Sequence, residues 1–412
     1  MISRSRSRLA ALAAACALAL LAAATAEAAP PQPRPHLGSD SAILIDANSG
    51  DVLLQQAAAA RRPIASTTKL MTARLALERA KPSEVFTAPA YHALPQESQI
   101  HLRAGERMAV RDLMRALLLE SANDAAETLA VGVSGSVRSF VHSMNAEARK
   151  LGLSHTHYTN PIGLDQGPNY SSARDLATLA RLLMQERAFA RIVDMTQARL
   201  TSGSHLRVVH NRNLLVGRYP FVNGVKTGHT RKAGYVLVGS GTSQDAHVIS
   251  VVLGEPSEAA RDNDTVTLLR YGLGQFHRVR VLSAARPVAK LDVKYFGGKA
   301  GVGVARNVAV SVRRGRRAQV KVSLPDELEG PLPAGRRVGS ARIYTGGRLV
   351  KRVALVTKEP VPGASTLRKV ATTVGPALIT LVVLAVLFAG TLVVLRARAV
   401  RTRRRSPRTT TR

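Results

Sequence analysis

The chain has 412 residues, of which 59 are Lys or Arg and 27 are Asp or Glu, a formal net charge of +32 at pH 7. This length allows two or three domains, and a hydrophobic content of 45% excludes a wholly disordered chain. The single cysteine, Cys16, excludes a disulfide framework and a multi-cysteine metal site. The charge alone would suit a nucleic-acid binder, so its position along the chain decides what it means.

The N-terminus has the three parts of a secretory signal peptide. Three arginines stand among the first eight residues, an apolar run follows from Leu9 to Ala24, and small residues surround Ala26. We therefore predict a signal peptide over residues 1–28, whose removal would leave the mature chain without a cysteine. A Pro-rich linker is predicted over residues 29–40.

Residues 41–276 form a segment in which strand and helix patterns come in blocks. A strand, a turn and a strand follow one another from Ser41 to Gln56, and helical periodicity dominates from Ser66 to about Arg187. Strand patterns return from Val222 to Leu253, and a helix from Asp264 to Gly272 would close the segment. This order predicts an α+β domain whose sheet is built from both ends of the segment.

Residues 277–359 change character. Short β-branched runs separated by Gly and Pro predict a small all-β domain, with strands near Val308–Val312, Gln319–Ser323, Val338–Tyr344 and Leu349–Val356. The segment contains 19 Lys and Arg residues but only 5 Asp and Glu. We interpret it as a basic stalk whose charge faces anionic lipid or an anionic polymer, and a merely solvated basic surface is an equally open alternative.

The C-terminal part predicts a membrane anchor. After a linker over residues 360–369, residues 370–395 carry no charge over 26 positions, which is long enough to cross a membrane as a helix. The tail of residues 396–412 holds eight arginines and no acid, which favours a cytoplasmic tail. We expect a single-pass cell-membrane protein whose other domains are extracellular, where nucleic acid is not an expected partner.

Three short motifs carry candidate chemistry. Ser66 and Lys69 form a Ser-x-x-Lys pattern at a predicted helix start, where residues three apart share a face. A serine hydroxyl becomes a good nucleophile when a base takes its proton, and a lysine with a lowered pKa can be that base. Ser121-Ala122-Asn123 follows an apolar run, and Lys226-Thr227-Gly228 is expected to begin a strand after Asn223-Gly224. Taken singly, each motif also suits a helix cap, a polar loop or an edge strand.

In this order the motifs resemble the signature of penicillin-recognising serine enzymes. The segment from about Ser41 to Phe276 is similar to the D-alanyl-D-alanine carboxypeptidases, the low-molecular-mass penicillin-binding proteins of the S11 peptidase type. Further matching runs include Asn160-Pro161-Ile162-Gly163-Leu164-Asp165 and Gly224-Val225-Lys226-Thr227-Gly228-His229-Thr230. The resemblance implies an α+β catalytic domain of the penicillin-binding-protein and serine β-lactamase fold, followed by an all-β domain and a C-terminal transmembrane helix.

The resemblance also implies an activity: removal of the terminal D-alanine from peptidoglycan stem pentapeptides, with covalent inhibition by β-lactams and no cofactor or metal. Ser66 would attack the carbonyl between two D-alanines, Lys69 would accept its proton, and Ser121 would pass a proton to the leaving D-alanine. Asn123 would hold the substrate amide and orient Lys69. The other expected substrate-binding residues are Lys226 and Thr227 for the terminal carboxylate, Gly228 beside the peptide, His229 through its backbone N–H in an oxyanion hole with that of Ser66, and Arg261 near the carboxylate.

Alternatives of the same fold stay open at this point. A serine β-lactamase would share the motifs, although the chain has no Glu-x-x-Leu-Asn to position a deacylating water. A transpeptidase differs only in passing the acyl group to an amine instead of water. A non-catalytic wall-binding protein could keep the fold, although intact Ser66 and Lys69 argue against it. The chain has no Gly-x-Ser-x-Gly or His-Glu-x-x-His motif, and His155-Thr156-His157 lacks a carboxylate in register for a metal.

Overall fold

The computed structural model describes residues 33–244 and 246–403. Its strands in chain order are β1 (Ser41–Asp46), β2 (Val52–Gln56), β3 (Arg62–Pro63), β4 (Val85–Thr87), β5 (Arg107–Ala109), β6 (Tyr170–Ser171), β7 (Gln197–Leu200), β8 (Arg207–His210), β9 (Val222–Thr230), β10 (Gly234–Thr242), β11 (His247–Glu255), β12 (Phe276–Leu282), β13 (Ala289–Val293), β14 (Lys299–Gly303), β15 (Val308–Arg313), β16 (Ala318–Ser323), β17 (Glu327–Leu328), β18 (Arg337–Thr345) and β19 (Arg348–Thr357).

The helices are α1 (Lys69–Arg79), α2 (Val110–Arg115), α3 (Asn123–Ser134), α4 (Val137–Lys150), α5 (Ala173–Gln185), α6 (Arg187–Val193), α7 (Leu215–Arg218), α8 (Glu258–Gly274), α9 (Thr366–Val374) and α10 (Pro376–Arg403). A 3₁₀ turn (Ala65–Thr68) leads into α1, and a π-helical turn (Ala116–Glu120) continues α2.

The first strand of the described chain, β1, pairs with β11, which lies more than 200 positions later. The central sheet has the order β2-β1-β11-β10-β9, and each neighbouring pair is antiparallel. In the β1–β11 pair, Ile43 faces Val251 and Leu44 faces Ser250. The prediction that both ends of the segment build one sheet is thus confirmed. The expected hairpin between Ser41 and Gln56 is present as β1 and β2.

Two apolar cores cover the two faces of this sheet, because successive side chains of a strand point to opposite faces. Ile43 and Ile45 of β1 pack into the larger core, together with buried residues of α1, α3 and α5. Leu44, between them, packs into the smaller core with Leu268 and Leu269 of α8. The segment is therefore layered as a helical block, a sheet and the helix α8.

Two element boundaries differ from the sequence prediction. Helix α8 starts at Glu258, six residues earlier than expected, because the side chain of Ser257 caps it by accepting a hydrogen bond from Ala260 N at 3.1 Å. The polar residues of its first turns hid this start. Strand β9 begins at Val222 and not after Gly224, so Lys226-Thr227-Gly228 lies in the middle of a long strand.

The segment after α8 is all-β, as predicted. The four predicted runs correspond to β15, β16, β18 and β19, each within two residues at either end. A six-stranded sheet has the order β16-β18-β19-β14-β13-β17, and β12 pairs with β15. Buried Val302, Ile343 and Leu355 lie in their common core. Strands β12, β13 and β14 were missed, because charged residues or glycines interrupt their apolar alternation.

The C-terminal helix is broken where one helix was expected over 370–395. Gly375, with a φ of 80°, separates α9 from α10, and Pro376 cannot continue a helix hydrogen-bond ladder. Within α10, the 20 residues of Thr380–Ala399 have a mean hydropathy of 2.3, so this helix is long and apolar enough to cross a membrane. The predicted signal peptide, residues 29–32 of the linker and residues 404–412 of the tail lie outside the described residues.

Candidate active site

The Ser-x-x-Lys motif lies at the junction of the 3₁₀ turn and α1. Side chains three residues apart are eclipsed in a 3₁₀ helix, and Lys69 Nζ lies 3.0 Å from Ser66 Oγ. Ser66 remains partly exposed, whereas Lys69 is completely buried. The spacing thus gives the expected contact, with the hydroxyl towards solvent and the amine beneath it.

Lys69 Nζ is surrounded by three oxygen atoms. Besides Ser66 Oγ, it donates to Asn123 Oδ1 at 2.6 Å and to the backbone carbonyl oxygen of Ile162 at 2.6 Å. Burial removes water from the charged form, and the positive Lys226 nearby also disfavours it, so the pKa of Lys69 falls well below its usual value. The negative charges of Glu97 and Asp124 oppose this shift without reversing it.

The loop that supplies the Ile162 carbonyl was among the matching runs but had no expected role. Asn160 Oδ1 accepts hydrogen bonds from Ile162 N at 3.2 Å and Gly163 N at 2.6 Å, which holds the loop in a tight turn. Gly163 has a φ of 91°, and a Cβ there would stand 2.0 Å from the carbonyl oxygen of Ala65. Only glycine lets this loop lie against the 3₁₀ turn, which brings the carbonyl to Lys69.

The Ser121-Ala122-Asn123 motif lies where the π-helical turn ends and α3 begins. Ser121 adopts the left-handed conformation, with φ 64° and ψ 28°, and so turns the chain sharply into α3. Ser121 and Asn123 are both nearly buried. Asn123 holds Lys69 through its amide oxygen and donates from its Nδ2 to Glu97 Oε2 at 2.7 Å. Glu97 lies outside the three motifs, and no sequence signal pointed to it.

The Lys226-Thr227-Gly228 motif lies on β9, which forms one edge of the central sheet. At Gly228, β9 lies close to the 3₁₀ turn that carries Ser66. A Cβ on Gly228 would stand 2.8 Å from Ser66 N and 3.0 Å from the Cβ of Ala65. Lys226 is almost completely buried and donates to the carbonyl oxygen of Thr227 at 3.0 Å. Gly228 is thus required by close packing of the strand against the 3₁₀ turn.

Positive charge gathers around Lys226. Burial lowers the pKa of Lys226 to about 7, and the charges of Arg212 and Arg261 add to the shift, while Glu120 opposes it. A buried amine in the field of two guanidinium groups favours the approach of an anion.

His229 and Arg261 lie at the far end of this motif. His229 is exposed, and its ring stacks on Tyr235 at a centroid distance of 4.1 Å. Arg261 is buried on α8, with its guanidinium 6.0 Å from the Tyr235 ring centroid. That guanidinium forms ion pairs with Glu258 and Asp262, each at 2.7 Å. Of the expected site residues, Ser66, Lys69, Asn123 and Gly228 are thus in direct contact or close packing. Arg261 is instead held in ion pairs with Glu258 and Asp262.

The comparisons with known proteins agree with this arrangement. Residues 24–257 match the family model described as D-alanyl-D-alanine carboxypeptidase, peptidase S11. The chain belongs to this family. Residues 276–362 match the C-terminal domain of penicillin-binding protein 5, which accounts for the all-β segment. The predicted family, the serine-hydrolase class and the α+β fold followed by an all-β domain are thereby confirmed.

Individual relatives cover most of the chain. D-alanyl-D-alanine carboxypeptidase DacA of Escherichia coli (strain K12) is 32% identical over 352 residues, which is 82% of this chain and 87% of that protein. The crystal structure of penicillin-binding protein 5 from Haemophilus influenzae matches 81% of this chain and 100% of its own, with 28% identity and a TM-score of 0.58. The Streptomyces K15 DD-transpeptidase structure matches 59% of this chain and 100% of its own, with 31% identity and a TM-score of 0.56.

Proposed function

We propose that this chain is a serine-type carboxypeptidase that removes the terminal D-alanine from peptidoglycan stem pentapeptides through an acyl-enzyme on Ser66. The same serine would be acylated by β-lactams. Family membership supports the reaction. The assignment of Ser66 as nucleophile and Lys69 as base rests on the three oxygen atoms that surround Lys69 Nζ.

The three oxygen atoms around Lys69 Nζ can be served by an ammonium ion or by a neutral amine, and burial favours the neutral form, which can act as a base. A neutral amine has two N–H groups and one lone pair. Asn123 Oδ1 and the Ile162 carbonyl oxygen can only accept, so they take the two N–H groups. The lone pair then faces Ser66 Oγ at 3.0 Å and accepts its hydroxyl proton. The lowered pKa of Lys69 supports this protonation state.

In the proposed acylation, Ser66 Oγ attacks the carbonyl carbon between the two D-alanines while its proton moves to Lys69. The backbone N–H groups of Ser66 and His229 would stabilise the oxyanion. When the carbon–nitrogen bond breaks, Ser121 passes a proton from Lys69 to the leaving D-alanine nitrogen. Water then attacks the ester, which releases the shortened peptide and restores the Ser66 hydroxyl.

The substrate would lie along the free edge of β9 as an added strand. Gly228 lets β9 lie close to Ser66, so a peptide paired with β9 would run beside the nucleophile, and Asn123 would contact its amide. Lys226 and the hydroxyl of Thr227 would receive the terminal carboxylate. Because Arg261 already pairs with Glu258 and Asp262, we propose that it assists through its positive charge near Lys226 and not as the main carboxylate ligand.

A transpeptidase is the second candidate, because the chain is 31% identical to a solved DD-transpeptidase over the catalytic segment. The two reactions share the acyl-enzyme and differ only in whether water or an amine accepts the acyl group. The pair of Ser66 and Lys69 serves both reactions, and an added amine acceptor separates them.

The cellular arrangement is likewise a proposal. Residues 1–28 would be removed as a signal peptide, residues 370–395 would hold the chain in the cell membrane, and the catalytic segment would be extracellular. The hydropathy of Thr380–Ala399 and the arginines of residues 396–412 support this. Residues 277–359 would form the stalk between the anchor and the catalytic segment.

The test is D-alanine release from a peptide that ends in D-Ala-D-Ala, with the full-length chain in detergent and with or without glycine as an amine acceptor. We expect hydrolysis that disappears in Ser66→Ala and falls strongly in Ser121→Ala. Ser143→Ala is the matched control, because Ser143 begins a second Ser-x-Asn run and only accepts a hydrogen bond from Arg79.

Other outcomes would separate the alternatives. A product that mainly ends in glycine would favour the transpeptidase, and rapid turnover of penicillin would favour a β-lactamase. If the wild-type chain neither releases D-alanine nor binds penicillin covalently, the proposed enzyme is wrong.

A further inference from the structure

Glu97 is an acidic side chain that contacts the candidate site from a loop outside the three motifs. The loop runs between β4 and β5, and it is fixed to the start of α3 because Asn123 N donates to the Ser98 carbonyl oxygen at 2.7 Å. Glu97 Oε2 accepts from Asn123 Nδ2 at 2.7 Å and from the hydroxyl of Tyr91. Glu97 Oε1 accepts from Leu94 N at 3.1 Å.

We propose that Glu97 is a positioning residue for acylation, which sets the orientation of the Asn123 amide and adjusts the proton affinity of Lys69 through its negative charge. This rests on the proposed function, in which Lys69 is the base that activates Ser66. The carboxylate acts through a hydrogen bond to Asn123 and through its charge. The conservative substitutions Glu97→Gln and Glu97→Asp separate these two effects.

The first effect is the orientation of an amide. The oxygen and the nitrogen of an Asn side chain occupy similar positions, and hydrogen-bond partners decide which of them points where. An ionised carboxylate can only accept, so Glu97 selects Asn123 Nδ2. The amide oxygen is then directed to Lys69 Nζ at 2.6 Å, where it takes one of the two N–H groups of the amine. Without this selection the amide nitrogen could face Lys69 and disturb the lone pair directed at Ser66.

The second effect is electrostatic. The charged groups that act on Lys69 are Lys226, which disfavours its protonated form, and Glu97 and Asp124, which favour it. Asp124 is already held by the backbone N–H groups of Ile100 and Leu102. Removing the charge of Glu97 would therefore lower the pKa of Lys69 further.

The state of Glu97 itself is set by its neighbours. Burial alone would raise the pKa of Glu97, but hydrogen bonds from Tyr91, Asn123 and Leu94 and the positive charge of Lys69 bring it below the ordinary value. Glu127 also faces this carboxylate, and both burial and the charge of Glu97 raise the pKa of Glu127. These neighbours therefore favour the ionised form of Glu97.

The experiment measures the second-order rate constant of labelling by a fluorescent penicillin between pH 5 and 9, with the full-length chain in detergent. Glu97→Gln keeps an oxygen that can accept from Asn123 but removes the charge. In the pH–rate profile of this variant we expect a plateau within about threefold of wild type. The acidic limb should move to lower pH, because the negative charge that favours protonated Lys69 is gone. Glu97→Asp keeps the charge, but its side chain is too short to reach Asn123. The acidic limb of its pH–rate profile should therefore stay at the wild-type pH, while the plateau rate constant falls by about tenfold.

The control is Glu84→Gln, an exposed acid directly before β4 that is absent from the charges acting on Lys69. It should change neither the limb nor the plateau. Unchanged limbs in Glu97→Gln, or equal loss of plateau in both Glu97 variants, would overturn the positioning role while wild-type labelling still upheld the proposed function. A wild-type chain that is not labelled would overturn both.

Discussion

Lys69 lies with its Nζ among three oxygen atoms and out of contact with solvent, and this decides the chemistry of its neighbour. A buried ammonium ion is costly, so the amine gives up its proton at a lower pH than an exposed lysine does. The sequence predicted the pairing of Ser66 with Lys69 from their spacing. It could not predict the Ile162 carbonyl or Glu97, because both reach the site through loops that are distant along the chain.

Lys69→Arg is expected to abolish acylation. A guanidinium group stays protonated and has no lone pair for the Ser66 hydroxyl. We expect at least a hundredfold loss of penicillin labelling, of the size typical for loss of a general base, with an unchanged far-ultraviolet circular dichroism spectrum. In the wild-type chain, labelling should rise from acidic pH to a plateau as Lys69 loses its proton. Labelling by Lys69→Arg near the wild-type rate would contradict the role of the lysine.

Gly228→Ala is expected to damage the site without unfolding the chain. The added Cβ would stand 2.8 Å from Ser66 N and would push β9 away from the 3₁₀ turn. We expect penicillin labelling to fall by about tenfold or more, with a small decrease in Tm. Gly298→Ala serves as the control, because a Cβ there meets nothing within 4 Å. Equal labelling by both variants would show that the close approach of β9 is unimportant.

At the scale of elements, regular patterns were predictable and irregular turns were not. The β1–β2 hairpin, β10 and β11 have clear apolar runs. They lie within the spans predicted from Ser41 to Gln56 and from Val222 to Leu253, to within two residues. The π-helical turn before Ser121 has the same apolar pattern as an ordinary helix, so the left-handed turn that aims Asn123 at Lys69 gave no signal. The start of α8 was missed because a Ser257 cap, and not apolar periodicity, defines it.

The six-stranded sheet of the all-β segment carries a row of like charges on neighbouring strands. Lys321 of β16 stands opposite Arg342 of β18, which stands opposite Arg352 of β19, and all three are exposed. Among the described residues, no ion pair joins any of them to an acid. Directly opposed like charges destabilise a sheet, and an anionic polymer bound across the row would offset that cost.

This row predicts salt-sensitive binding. We expect the full-length chain to bind purified anionic wall polymer at low ionic strength and to release it as salt screens the charges. Replacing Lys321, Arg342 and Arg352 by Gln should weaken the binding and raise the Tm slightly. Binding that is equal for the wild type and the triple variant, at low salt, would mean that the row is simply solvated. Anionic vesicles in a parallel assay separate lipid from wall polymer as the partner.

At the scale of the whole molecule, the fold joins the beginning of the described chain to the end of the catalytic segment. Backbone N–H groups of Gly38 and Ser39 donate to Asp264 Oδ2 on α8, at 2.8 and 3.2 Å. Glu255, at the end of β11, is buried beside them. Burial raises the pKa of Glu255 to about 8, and Asp264 and Asp40 add to the shift.

This buried acid predicts a dependence of stability on pH. The folded chain keeps the Glu255 proton that the unfolded chain releases above its ordinary pKa, so the free energy of unfolding should decrease as the pH rises towards 8. Glu255→Gln removes this dependence, and its Tm should exceed that of wild type at pH 8 but not at pH 5. Asp51→Asn, in the exposed β1–β2 turn, is the control. A Tm difference of equal size at both pH values would contradict the buried proton.

The central claim is that Ser66 is the nucleophile, and mass spectrometry of the penicillin-treated chain tests it most directly. Trypsin should release Ser66 in a peptide from Arg62 to Lys69, because Pro63 blocks cleavage after Arg62. We predict a penicilloyl adduct on this peptide, absent in Ser66→Ala and unchanged in Ser143→Ala. An adduct on another serine, or an unmodified peptide after complete exposure to penicillin, would contradict the account.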